Sequence, residues 1–117
     1  MVKDIAFIAY SVKDVPRATE FYRDTLGLTP GESFGDRWVE FAVGGTTFGI
    51  GNGESLGMMP GASSGAAFEV DDLAETRARL EKTGIEVTEV HDFPACSVCF
   101  ATDPEGNTFA LHQRKPH

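Results

Sequence analysis

Glu69 and His112 are the two residues of this chain best suited to acid/base work on a ligand. A carboxylate beside an imidazole can orient a bound molecule or relay a proton, because imidazole titrates near neutral pH. Both fall in strand-like stretches, 64–70 and 107–112. A plainer reading makes Glu69 a surface glutamate ahead of a helix start and His112 a solvated strand-end histidine. Cys96-Ser-Val-Cys99 has the spacing of half a metal motif. Without a second ligand pair that spacing is a weak signal. On a strand, residues three apart point to opposite faces and cannot chelate one ion, so structural thiols are expected. His91 and His117 fit no ligand spacing and read as surface residues. Neither a Gly-rich phosphate loop ahead of a helix, a nucleophile elbow nor an HExxH helix is present.

The elements that must position Glu69 and His112 come from an internal repeat. Phe7-Ile-Ala-Tyr-Ser-Val-Lys-Asp14 aligns with Gly65-Ala-Ala-Phe-Glu-Val-Asp-Asp72 at an offset of 58, and Gly45-Thr-Thr-Phe-Gly-Ile50 with Gly106-Asn-Thr-Phe-Ala-Leu111 at an offset of 61. Each copy reads as βαβββ. Strands are expected at 5–11, 31–34, 37–43 and 46–51, then at 64–70, 86–90, 97–103 and 107–112. The first helix starts at Asp14, whose side chain can cap free N–H groups, and Gly27 ends it. In the second, Asp72 and Glu75 have capping-box spacing and Gly84 stops the pattern. The fold class is α+β, with two tandem modules forming a curved mixed sheet around a cleft. One domain spans 1–117: module one 1–51, a linker 52–63 and module two 64–117.

Strand alternation sorts the side chains onto two faces. One face collects Ile8, Tyr10, Phe48, Ile50, Phe68, Val70, Phe109 and Leu111, a bulky set that should pack under the helices. The other holds Phe7, Ala9, Ser11, Thr47, Gly49, Gly51, Gly65, Ala67, Glu69, Thr108, Ala110 and His112, mostly small or polar. That face is either plain solvated sheet or the wall of a cavity. Trp38 and Glu40 share one face of the third strand. Trp38 offers a flat contact for a ring-bearing ligand, a cap for the sheet edge, or a dimer contact. Met58-Met59 reads as a cover for a cavity mouth or as mobile linker.

The chain of 117 residues has 18 acidic and 10 basic side chains, for a net charge of -8, and 41% hydrophobic content. That charge argues against nucleic acid, which needs a basic footprint, and suits a neutral or cationic ligand. No apolar run is long enough for a membrane span, so no membrane partner and a cytoplasmic location are expected.

The paired βαβββ units, the V-x-D helix starts, Phe21-Tyr22 followed by Leu26-Gly27-Leu28, and Asp103-Pro104-Glu105-Gly106-Asn107 resemble the vicinal oxygen chelate superfamily, which includes glyoxalase I, extradiol dioxygenases and bleomycin-resistance proteins. In its metal-dependent members, four ligands on the first and last strands of each module surround one divalent ion. By resemblance those positions here are Phe7, Gly49, Gly65 and Ala110, and none has a side chain able to bind a metal. The resemblance therefore implies a metal-free small-molecule binder of the bleomycin-resistance type, a homodimer with no metal or other cofactor. Its ligand-binding residues would be Phe7, Ala9, Trp38, Gly49, Gly65, Glu69, Ala110 and His112. A second reading is a lyase or isomerase acting on a small oxygenated substrate, with Glu69 and His112 as acid/base groups. A third is a non-catalytic protein-interaction domain.

Overall fold

The computed structural model describes residues 1–53 and 59–116. Its elements are β1 (Ile8–Val12), α1 (Val15–Glu20), β2 (Thr29–Ser33), β3 (Trp38–Val43) and β4 (Thr46–Asn52), followed by β5 (Ala66–Glu69), α2 (Leu73–Lys82), β6 (His91–Asp92), β7 (Cys96–Thr102) and β8 (Thr108–Arg114). They form two four-stranded mixed sheets of the same topology, β1-β4-β3-β2 and β5-β8-β7-β6. In each sheet the first and last strands run parallel, while the hairpin partners run antiparallel. The register carries the repeat residue by residue. Ala9 pairs with Gly49 as Ala67 pairs with Ala110, and Ile8 with Phe48 as Ala66 with Phe109.

The bulky face buries as its alternation demands: Tyr10, Phe48, Ile50, Phe68, Phe109 and Leu111 all lie in the core. It serves as the junction of the modules as well as the seat of the helices. Phe48 meets Phe68 edge-on at 5.3 Å between centroids, and Phe68 meets Phe109 at 5.6 Å. Two members of the expected set depart from it. Ile8 is 37% exposed at the sheet edge, and Val70, beyond the end of β5, packs only partly against the core.

Helix α1 is capped by Asp14, whose carboxylate accepts from Arg17 N, and Pro16 is tolerated in the first turn. At Phe21–Thr25 the helix widens into a π-turn, with Leu26 N–H donating to Phe21 O. The wide turn lets two consecutive residues face inward: Phe21 and Tyr22 are both buried against Phe109. In α2, Asp72 accepts from Glu75 N as the capping-box spacing requires.

The strand expected at 86–90 does not form as a ladder. Val87 makes a lone bridge to Ala101, and regular pairing starts only at His91. Thr88 is the reason. Its carbonyl is taken by Arg77 Nε, so Phe100 N turns to the Thr88 hydroxyl instead. β5 begins at Ala66 rather than 64, because Gly65 holds a φ of 101° that breaks the extended start. The far end of the expected linker is tied down. Gly61 N donates to Ser11 O, and Ser63 Oγ accepts from Ser11 N. Met58 lies outside the described residues, and Met59 is exposed.

Beside the aromatic junction, a buried polar network joins the modules. Asp103 Oδ2 accepts from the Tyr22 hydroxyl at 2.6 Å and from Asn107 Nδ2, while Oδ1 accepts from the backbone N of Glu105 and Asn107. Asn107 also donates to Ser11 O and accepts from Ser63 N. Burial and the neighbouring Asp103 push the Tyr22 hydroxyl's pKa far up, so it stays a donor. Tyr22→Phe leaves part of a buried carboxylate without a donor and should cost about 1–3 kcal/mol. Urea unfolding measures this; a loss under about 0.5 kcal/mol would mean that the network is not stabilising.

Candidate functional site

Parallel pairing of β5 and β8 sets Glu69 directly opposite His112, closer than a diagonal approach would bring them. Glu69 Oε1 lies 2.6 Å from His112 Nδ1, and Oε2 accepts from Arg114 N at 2.7 Å. The Arg114 guanidinium stands 3.9 Å from the same carboxylate. The Arg114 N–H, then His112, hold the Glu69 carboxyl below its ordinary value. Glu69 is thus an anion pinned at both oxygens, with side-chain exposure of 38% against 30% for His112.

A cleft of about 440 Å³ opens where β5 meets the edge of the first sheet. Thr46, Thr47 and Phe48 form one side, Ala67, Glu69 and Arg114 the other. A second hollow of about 290 Å³ sits on the small-residue face of module two, over Gly65, Ala67 and Ala110, with Phe100 beside it. The expected ligand-binding residues fall into two groups, one per sheet. Gly65, Glu69, Ala110 and His112 share the face of the second sheet. Phe7 and Trp38 pair edge-on at 5.2 Å near Ala9 and Gly49 on the first.

The two faces differ in what fills them. On the first sheet the Trp38 indole lies over Gly49, its N–H donating to Glu40 Oε2 at 2.9 Å. A Cβ built on Gly49 would collide with that ring. On the second, a Cβ at Gly65 would meet open space, although the positive φ strains any side chain there. Phe7, Gly49, Gly65 and Ala110 therefore do not fit a metal: they offer no ligating atom, and one is covered by a ring. Among the described residues, no group of three His, Cys, Asp or Glu side chains could hold an ion.

Cys99 is buried on the helix side, and Cys96 is half-buried opposite Arg114. Burial pushes the Cys99 thiol up, which makes it inert. His91 is exposed and stands opposite Val98, itself opposite His112, so Glu69, His112, Val98 and His91 make one row across the sheet. Sequence reasoning missed Arg114 and Phe100. Arg114 shares parity with His112, but the strand was expected to end two residues short of it. Phe100 lies opposite Ala110, a pairing that parity within one strand cannot reveal.

Gly49→Ala must displace the indole, and as an overpacking change it should cost about 1–3 kcal/mol. Trp38 is the sole tryptophan, so its emission should shift to the red, and the cost should largely vanish in a Trp38→Ala background. An unshifted spectrum would refute the contact. Because the Glu69 carboxyl is lowered on folding, its contribution is complete above the ordinary value of 4.5 and is lost as pH falls through the lowered one. The stability gap between wild type and Glu69→Gln should therefore narrow below about pH 4.5, read by urea midpoints. A gap that is constant with pH would contradict the pinned anion.

The family model described as Glyoxalase/Bleomycin resistance protein/Dioxygenase superfamily matches residues 4–111. Among solved structures, the chain is similar to TnmS3, an antibiotic binding protein from Streptomyces sp. CB03234, at 25% identity and a TM-score of 0.82, covering 97% of this chain and 98% of that one. A glyoxalase/bleomycin resistance protein from the same Streptomyces strain is 27% identical with a TM-score of 0.79, covering 94% and 100%. Lactoylglutathione lyase from Agrobacterium tumefaciens shares the fold at 23% identity and a TM-score of 0.80, covering 96% and 94%. No curated protein matches the sequence.

Proposed function

We propose that this chain, which belongs to the glyoxalase/bleomycin resistance protein/dioxygenase superfamily, is a metal-independent small-molecule-binding protein that sequesters a drug or metabolite. The observation that carries the reading is the cleft of about 440 Å³, a volume that holds a drug-sized ligand, with Glu69 and Arg114 on its wall. Binding needs shape and a few oriented polar groups, and no metal. That agrees with Phe7, Gly49, Gly65 and Ala110 standing where ligands would be required. The likeness to an antibiotic-binding protein at 25% identity supports the ligand class. The net charge of -8 favours a neutral or cationic guest.

The working form in this reading is a homodimer in the cytoplasm. Phe7 is 48% and Phe100 46% exposed on the small-residue faces of the two sheets, apolar area that a second copy would cover. The free Cys96 and Cys99 suit a reducing compartment. Among the described residues, no helix is long and apolar enough to cross a membrane.

One observation favours a second reading, an enzyme of the lyase or isomerase kind. The 2.6 Å contact between Glu69 and His112 is an acid/base geometry. Thermal-shift screening of the purified protein against cationic antibiotics and small metabolites separates the readings. A binder should gain about 2–4 kcal/mol of apparent stability at saturating ligand, whatever happens to turnover. Turnover abolished in both Glu69→Gln and His112→Ala would establish the enzyme. If no compound shifts melting, a protein-interaction role gains ground.

A further inference from the structure

We propose that Glu69 is a positioning residue that holds neutral His112 as its Nδ1–H tautomer, so that the small-residue face of the second sheet, beside the cleft lined by Glu69 and Arg114, meets a ligand with the Nε2 lone pair and selects ligands carrying an O–H or N–H donor. Only the ligand half of this inference rests on the small-molecule reading above.

The tautomer follows from counting protons. Glu69 Oε2 already accepts from the backbone N–H of Arg114 at 2.7 Å, and Oε1 lies 2.6 Å from Nδ1. An ionised carboxylate has no proton to give, so in a neutral imidazole the proton must sit on Nδ1. Nε2 is then a bare acceptor. Among the described residues no hydrogen bond reaches it, and none of their buried side-chain nitrogens or oxygens lacks a partner, so Nε2 is open to solvent.

Its surroundings suit a neutral donor on an apolar body. Val98 pairs with His112 across the sheet, and Phe100, 46% exposed, stands opposite the neighbouring Ala110. An anionic ligand would meet two acceptors, the Glu69 carboxylate and the Nε2 lone pair. The Arg114 guanidinium does not reverse this, because it is 76% exposed and faces the same carboxylate at 3.9 Å. A hydroxylated aromatic ring satisfies both demands, donating to Nε2 while its face lies on the apolar floor.

The isosteric change Glu69→Gln makes a sharp test. The Arg114 N–H still needs an acceptor, so the amide oxygen goes there and the amide NH2 faces Nδ1. Nδ1 must then accept, and the proton moves to Nε2. In alkaline buffer, the imidazole 15N resonances of the full-length protein report which nitrogen is protonated. The expected result is Nδ1–H in wild type and Nε2–H in Glu69→Gln. Phenol and anisole, a pair differing by one donor, are then titrated into both proteins. Phenol should bind roughly fivefold tighter than anisole in wild type, the worth of one net hydrogen bond, and lose that preference in the variant.

A wild type with Nε2–H, or with both nitrogens protonated, overturns the positioning role without any need for the variant to fold. A variant that folds but keeps Nδ1–H does the same. Equal binding of phenol and anisole to wild type overturns the donor selectivity. If the tautomers come out as expected and neither probe moves any resonance, ligand binding at this face and its donor selectivity fail together, while the role of Glu69 and the reading of the 440 Å³ cleft both stand.

Discussion

The buried carboxylate of Asp103 is the constraint on which the rest of the molecule depends. A carboxylate out of water is tolerable only when its lone pairs are met, and here the Tyr22 hydroxyl, the Asn107 amide and two backbone N–H groups meet them. The partners come from both modules. Tyr22 brings the π-turn at the end of α1, and Asn107 reaches across to Ser11 O on β1. Glu105, two residues along the same turn, keeps a side chain only 3% exposed and accepts from Lys13 N and Asp14 N at the start of α1, with Arg17 closing the pair at 2.9 Å. One five-residue turn of module two therefore braces the chain entering the helix of module one, fixes its last turn and anchors its first strand.

Module one has nothing equivalent to offer in return. Its corresponding turn is Gly44-Gly45, which has no side chains. Its ties in return include Tyr10, whose hydroxyl accepts from Ala66 N and donates to Thr108 O, and Arg17, whose guanidinium donates to Pro104 O. The two halves share a backbone plan and a register while differing in what they do with it. The first half spends its small-residue face on a tryptophan packed into the space above a glycine. The second leaves that face hollow and stations a pinned carboxylate–imidazole pair beside it. Holding the open half rigid needs the clamp, because a pair 2.6 Å apart on neighbouring strands keeps its geometry only if those strands keep their register.

Much of this was legible in the sequence because duplication writes the fold twice. The offsets of 58 and 61 match the register pairs of both sheets, Ala9 with Gly49 and Ala67 with Ala110. Alternation sorted the middle of each strand correctly and misled at strand ends: Ile8, at the start of β1, lines the cleft, and Val70 lies beyond the end of β5. Strand order brought Glu69 and His112 onto neighbouring strands, but only as a diagonal approach; their direct opposition comes from the register. The Thr88 break, the π-turn and the indole over Gly49 were not legible, since each depends on a partner distant in sequence. Asp103 to Asn107 read as a turn motif; its work as a clamp between modules is a matter of three dimensions.

The indole above Gly49 also bears on how such a protein changes over evolutionary time. A glutamate placed at that position alone would run into the ring, and a smaller residue at 38 alone would leave a void and take away the Glu40 hydrogen-bond donor. Either single step passes through a less stable intermediate, so a larger residue at position 49 is accommodated only together with a smaller one at 38. Positions 38 and 49 are in this way bound to change together, although they lie eleven positions apart along the chain.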